Sequence, residues 1–146
     1  MRDAGARLTC ARVSLFVTCD REAVMKFAKR LFSIAGIYGL IVLLPQYFLE
    51  AKNGLDFPPA ITHPEYYYGF IGVGLACQIL FLLIARDPVR YRAMMIPAVI
   101  EKFSFGIAVV ILFLLNRVAV VILGLSCVDL ALGTLFIIAY AKTPAD

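Results

Sequence analysis

The stretch IPAVIEKFSFGIAVVILFLL, residues 96–115, decides what kind of protein this is. Its length matches the ~20 residues that an α-helix needs to cross ~30 Å of hydrocarbon. Inside it Glu101 and Lys102 stand side by side, well away from either end. An unpaired charge at the centre of a spanning helix costs on the order of 2.5–3.5 kcal/mol, even on the lenient insertion scale. If this stretch lies in lipid, both charges must face protein partners or a wet cavity.

The rest of the chain says that it lies in lipid. Of 146 residues, 62% are hydrophobic, against about 45–50% in an ordinary soluble domain, and the mean hydropathy is +0.90. A soluble chain of this length buries only about 70% of its extended surface, too little to hide so much apolar area. Four apolar segments, 31–49, 66–85, 93–115 and 118–140, each approach the length of a membrane span. Helix is the form expected of them, because every backbone amide must be satisfied without water, and no alternating ten-residue barrel strands occur. The expected fold is an all-α four-helix transmembrane bundle forming one domain over residues 26–146.

Orientation follows from the basic residues. Arg2, Arg7, Arg12, Arg21, Lys26, Lys29 and Arg30 precede the first segment; Arg86, Arg90 and Arg92 lie between the second and third, and Lys142 follows the fourth. The opposite side carries Lys52 and Arg117 alone. Eleven against two places both termini in the cytoplasm and leaves Lys102 inside the membrane. The same distribution accounts for the net charge of +4 without a nucleic-acid partner. The first apolar run is long and lacks an A-x-A-like cleavage site, so it is expected to stay attached. Residues 1–25 read as a cytoplasmic extension. Met25, opening MKFAKRLF, reads as the natural start, with a short amphipathic arm on the membrane surface as the alternative for residues 1–24.

Other residues narrow the chemistry. Cys10, Cys19, Cys77 and Cys127 form no C-x-x-C, so neither zinc nor a dithiol centre is expected, and the two in apolar segments read as small hydrophobes. His63 is the single histidine, which argues against haem or a His-based metal site, and no cofactor is expected. In the 50–65 loop, Asn53-Gly54 and Pro58-Pro59 read as turns. Thr62 reads as the cap of the second helix, with Pro64 and Glu65 in its first turn, and Tyr66, Tyr67 and Tyr68 as an interfacial belt. Asp87-Pro88 reads as the cap and start of the third helix, and Pro45 as a kink in the first.

Depth arithmetic gathers the intramembrane polar groups. At 1.5 Å per residue, Lys102 lies roughly 13–14 Å, Asp129 roughly 16–17 Å and Gln78 roughly 10–11 Å from the cytoplasmic surface. Gln78, Glu101, Lys102 and Asp129 therefore share one slab. The short connection at Asn116-Arg117 makes the third and fourth helices antiparallel neighbours, which pairs Lys102 with Asp129. Adjacent helical residues point about 100° apart, so Glu101 is expected to look elsewhere, with Arg86 and Arg90 within conceivable reach. Pro97, Glu101, Ser104 and Ala108 suggest one inward stripe, Ser126, Asp129 and Gly133 another, and Gly74 sits a turn before Gln78. A secondary polar group, Gln46, Glu50 and His63, lies near the outer surface.

The segments IYGLIVLLPQYFLE, PPAITHPEYYYGFIGV, LLIARDPVRYRAMMIPAVIEKFSFG and DLALGTLF resemble a group of uncharacterised small four-helix membrane proteins of bacteria. More loosely, the chain is similar to the DoxX-like four-helix superfamily. The resemblance covers about residues 31–140 and not the first 24; it implies a fold and an inner-membrane address, and carries no catalytic role to any residue. The leading expectation is a non-enzymatic accessory or interaction protein, in contact with the bilayer and with a second copy or another membrane subunit, whose cluster organises the bundle. A second is a small proton-coupled carrier using Glu101 and Asp129. A third is a lipid- or quinone-acting membrane enzyme.

Overall fold

The computed structural model describes the backbone of residues 3–145 and the side chains of residues 21–145. The expectations placed on Arg2, Arg7, Arg12, Cys10 and Cys19 lie outside the described side chains. The chain is all-α: α1 (Asp3–Leu43), α2 (Glu50–Asp56), α3 (Pro64–Arg86), α4 (Met95–Leu114) and α5 (Val120–Lys142), with 3₁₀ turns at Leu44–Phe48 and Arg92–Met94. Four stretches are long and apolar enough to cross a membrane: Arg21–Phe48, Pro64–Arg86, Arg92–Leu114 and Val120–Lys142. They match the four expected segments, with ends shifted by a few residues except at the first, which begins ten residues earlier.

Local chemistry explains the breaks. Pro45 has no N–H to donate, so α1 ends at Leu43 and tightens into a 3₁₀ turn rather than kinking and continuing. Asn53 and Gly54 do not make the expected turn; they lie inside α2, where Lys52 and Asp56 pair at 2.6 Å across one helical turn. Thr62 does not cap α3. His63 occupies the N-cap without a side-chain cap bond, and Pro64 takes the first turn, where its missing N–H matters least. Asp87 does cap the hinge, accepting from the Arg90 N–H at 3.2 Å, but α4 begins only after the Arg92–Met94 turn. Asn116 closes the α4–α5 connection at φ 56°, a left-handed conformation that Asn tolerates.

The helices pack as two hairpins, α1 with α3 and α4 with α5. Glycines set how closely each hairpin closes. A Cβ on Gly39 of α1 would run into the Gln78 amide of α3, and one on Gly106 of α4 would lie 2.6 Å from the Leu130 side chain of α5. Such small positions let helix backbones approach in lipid, where no hydrophobic force drives helices together. Ser126 adds an interhelical bond, donating to the Gly106 carbonyl at 3.0 Å in a buried position.

The hairpins join at the end that carries the chain termini. There Phe32, Phe81 and Phe136 from three helices are all fully buried. The Phe32 and Phe136 rings stack at 4.2 Å, and Phe81 meets Phe136 edge-on at 5.1 Å. Ala28, Ala35, Met95, Ala98 and Ala139 fill in around them. Arg92 locks the same end, donating from Nε to the Thr143 carbonyl at 2.8 Å, with its guanidinium 4.0 Å over the Tyr140 ring. Outward, residues such as Ile34, Ile41, Ile79, Ile107 and Ile137 are exposed along the four long helices. An apolar surface this continuous belongs in lipid: the protein is a multi-pass integral membrane protein.

Candidate functional site

At the opposite end, where the 50–65 and 115–119 connections lie, the two hairpins part. Contact between α3 and α4 is thin there, with the Phe70 and Phe105 rings 5.8 Å apart. The space between the hairpins is a cleft of about 1240 Å³, somewhat above the ~300–1,000 Å³ typical of small-molecule sites. Its mouth is formed by the Pro58-Pro59 and Asn116–Ala119 connections, its walls by residues such as Phe70, Phe105, Ile122 and Leu125, and its floor by Gln78, Glu101, Lys102 and Asp129. All four residues expected in the intramembrane cluster thus line one cleft.

Lys102 is the hub of the floor. Its Nζ donates to Asp129 Oδ1 at 2.9 Å, the pairing expected from helix depth. It also lies 3.3 Å from Glu101 Oε2 and 3.5 Å from Oε1. The expectation that Glu101 would look elsewhere is therefore corrected. The Cα–Cβ bonds of neighbours do diverge, but the four-carbon lysine stem curls back far enough to put the ammonium between both carboxylates. On its remaining side the ammonium faces the Phe81 ring at 5.5 Å. Arg86 and Arg90 are exposed at the hinge and do not reach the cluster; Arg90 sits over the Tyr91 ring instead.

The inward stripe on α4 also differs from expectation. Met95, Ala98, Lys102, Gly106 and Val109 are its buried positions, whereas Pro97, Ser104 and Ala108 are exposed. Glu101 stands at the border of that face. The stripe expected on α5 is present, with Ser126 and Gly133 buried and Asp129 between them. Gln78 is 1% exposed, packs its amide over Gly39, and donates from Nε2 to the Gly74 carbonyl at 3.0 Å.

Two properties of the floor bear on chemistry. It holds one base and two acids, a formal charge of −1. And the burial is uneven: the Lys102 side chain is 7% exposed, against 25% for Glu101 and 16% for Asp129. The two acidic side chains keep more exposure than the lysine between them. Two buried acceptor atoms also lack a hydrogen bond, Gln78 Oε1, which lies against Gly39 of α1, and Glu101 Oε2, which lies 3.3 Å from the Lys102 ammonium.

The outer polar residues divide. Gln46 lines the cleft, where Asn53 Nδ2 donates to its Oε1 at 2.6 Å and the Tyr67 hydroxyl donates to its carbonyl at 2.7 Å. Glu50 accepts from the Tyr68 hydroxyl at 2.7 Å, and His63 is exposed beside Glu65 at 3.2 Å; neither lines the cleft. Asn53 and Tyr67 went unrecognised in the sequence. Asn53 was masked by its turn-like Asn-Gly pair, and Tyr67 by its place in an interfacial run of which it alone is half-buried. Cys77 and Cys127 are free thiols. No group of three or more His, Cys, Asp or Glu side chains able to hold a metal ion occurs among the described residues. Comparison with family models, with curated proteins and with solved structures finds no match to this chain.

Proposed function

We propose that this protein is a small-molecule binding protein of carrier type, which takes a ligand from one face of the membrane into the cleft and holds it against Glu101 and Asp129. The observation that carries this reading is the cleft's reach to the charged floor. A buried ion pair kept only to set helix register is best surrounded by packed side chains that satisfy its remaining lone pairs. Here the pair instead borders open space, and one carboxylate oxygen has no hydrogen bond. An accessory protein whose cluster serves only the fold has no use for that space. Intramembrane ionisable groups facing a cavity are the usual mark of a substrate or proton path.

The eleven-to-two distribution of basic residues supports a cytoplasmic location for both termini, so that the cleft opens outward. The likeness to small four-helix bacterial proteins supports an inner-membrane address. On this reading Phe32, Phe81 and Phe136 form the inner gate, and the carboxylates are the groups whose protonation would be coupled to ligand exchange.

The test is to release the protein from native lipid into the mass spectrometer and compare it with Ile122→Trp, which fills the cleft wall without touching the charged floor. A small-molecule adduct on the wild type that is lost in Ile122→Trp supports the reading. Identical bare masses from both proteins, with both folded, would overturn it in favour of a purely structural cluster.

A further inference from the structure

Resting on the cleft as a ligand site, we infer that its ligand is a lipophilic amine: a protonated primary or secondary amino group seated at Glu101 and Asp129, with a hydrocarbon body along the cleft walls. Three features of the floor define this chemistry.

The first is charge. One ammonium and two carboxylates leave −1 in a low-dielectric setting, where an uncompensated charge is costly. A single positive charge from a ligand brings the floor to neutrality; an anionic ligand would raise the imbalance to −2.

The second is access. An anion would have to reach Lys102, whose ammonium is already enclosed by Asp129 at 2.9 Å, Glu101 at 3.3 Å and the Phe81 ring at 5.5 Å. The lysine side chain is the most buried of the three, and the Glu101 side chain the most exposed. An entering group meets acceptors first.

The third is hydrogen-bond demand. The floor side chains that keep most exposure, Glu101 at 25% and Asp129 at 16%, end in carboxylates, which accept hydrogen bonds and donate none. Their complement is an N–H donor. A quaternary ammonium has the charge but no N–H, and an alcohol has the donor but no charge; a protonated amine supplies both, and charge-assisted hydrogen bonds are the stronger kind.

The walls define the rest of the ligand. Phe70, Val73, Phe105, Val121, Ile122 and Leu125 line the cleft above the floor, and Phe70, Val73, Val121 and Leu125 among them are exposed. These walls are apolar, so the hydrocarbon portion of an amphiphile stays in an apolar medium while its head group rests at the floor. The amine could be a free amphiphile or the ethanolamine headgroup of a lipid, since both present an –NH₃⁺ on an apolar body.

The experiment uses the full-length protein in phosphatidylcholine nanodiscs, whose quaternary headgroups carry no N–H. Dodecylamine, dodecanol and dodecanoic acid are matched probes, each titrated against wild type, Ile122→Trp, Glu101→Gln and Glu101→Asp by native mass spectrometry. The inference expects dodecylamine to bind wild type at least tenfold more tightly than the other two probes. It expects Glu101→Gln to lose at least tenfold for the amine alone, and Glu101→Asp, which keeps the charge, to retain most of the binding. Thermal unfolding of each variant shows that these losses do not come from misfolding. Replacing part of the phosphatidylcholine with phosphatidylethanolamine identifies the source: competition with dodecylamine means a lipid headgroup, and no competition means a free amine. Equal binding of all three probes, lost in Ile122→Trp, overturns the amine assignment and leaves the cleft as a site. No binding of any probe above the Ile122→Trp level overturns the cleft reading and the amine assignment together.

Discussion

The two ends of this bundle are built from the same four helices and solve opposite problems. At the terminal end, Phe32, Phe81 and Phe136 fill the centre with rings from three helices, and Arg92 ties α4 to the end of α5. At the connecting end, each hairpin stays closed on itself while the space between the hairpins stays open. Hydropathy does not separate these ends, since all four spans are strongly apolar. The difference lies in which residues meet at the centre. In lipid, helices associate only where side chains fill the space or polar groups bond across it, so three rings from three helices packed at the centre of one end, against a single Phe70–Phe105 contact at the other, make a wedge.

The charged floor sits at the boundary between the two ends, and breaking it should have the largest effect. Lys102→Met leaves Glu101 and Asp129 without their shared cation, and removing one partner of a buried ion pair typically costs about 3–5 kcal/mol. Unfolding in bicelles should show that loss, and Lys102→Met with Asp129→Leu should recover much of it, because these residues act through one contact. Equal stability across wild type, single and double variants would remove the ion pair from the account.

A direct contrast of the two ends comes next. Phe136→Ala at the closed end should cost about 3 kcal/mol or more, as buried aromatic truncations do. Ile122→Ala should stay within about 1 kcal/mol, because this half-buried side chain borders the open cleft. Similar losses for the two would mean that the ends are packed alike and that the cleft closes in the bilayer. A smaller effect, about 1–3 kcal/mol as for other overpacked sites, is expected for Gly39→Ala. The added methyl must displace the Gln78 amide from its place over α1. If that substitution is neutral, the floor is less rigid than its contacts indicate.

Much of this molecule can be read from its residues. The four spans follow from apolar length, and the Lys102–Asp129 pair follows from the short α4–α5 connection together with helical rise. Gly74, Gln78, Ser126 and Gly133 were recognisable as interior because small and polar residues have no other place in a spanning helix. The Glu101–Lys102 contact was not, because side-chain reach is set by rotamer rather than by helical angle. The buried stripe on α4 was misplaced in part for a related reason: Lys102, the most polar residue on the helix, is buried, Pro97 and Ala108 are exposed, and Ser104 lines the cleft with Glu101 without being buried. The cleft was also illegible. It depends on three phenylalanines from α1, α3 and α5 meeting at one level, a tertiary coincidence that no local pattern encodes.

The most direct test of the central claim is whether the floor can be reached from the connecting side. In a protein with its native cysteines replaced by serine, Glu101→Cys places a thiol at the floor and leaves the Lys102–Asp129 bond in place. A membrane-impermeant cationic thiol reagent is applied to sealed vesicles of each orientation, identified by a C-terminal tag. The account predicts labelling from the side bearing the 50–65 connection and none from the side bearing the termini, where the phenylalanine core closes the bundle. Absence of labelling from both sides, or labelling from the terminal side, would contradict it.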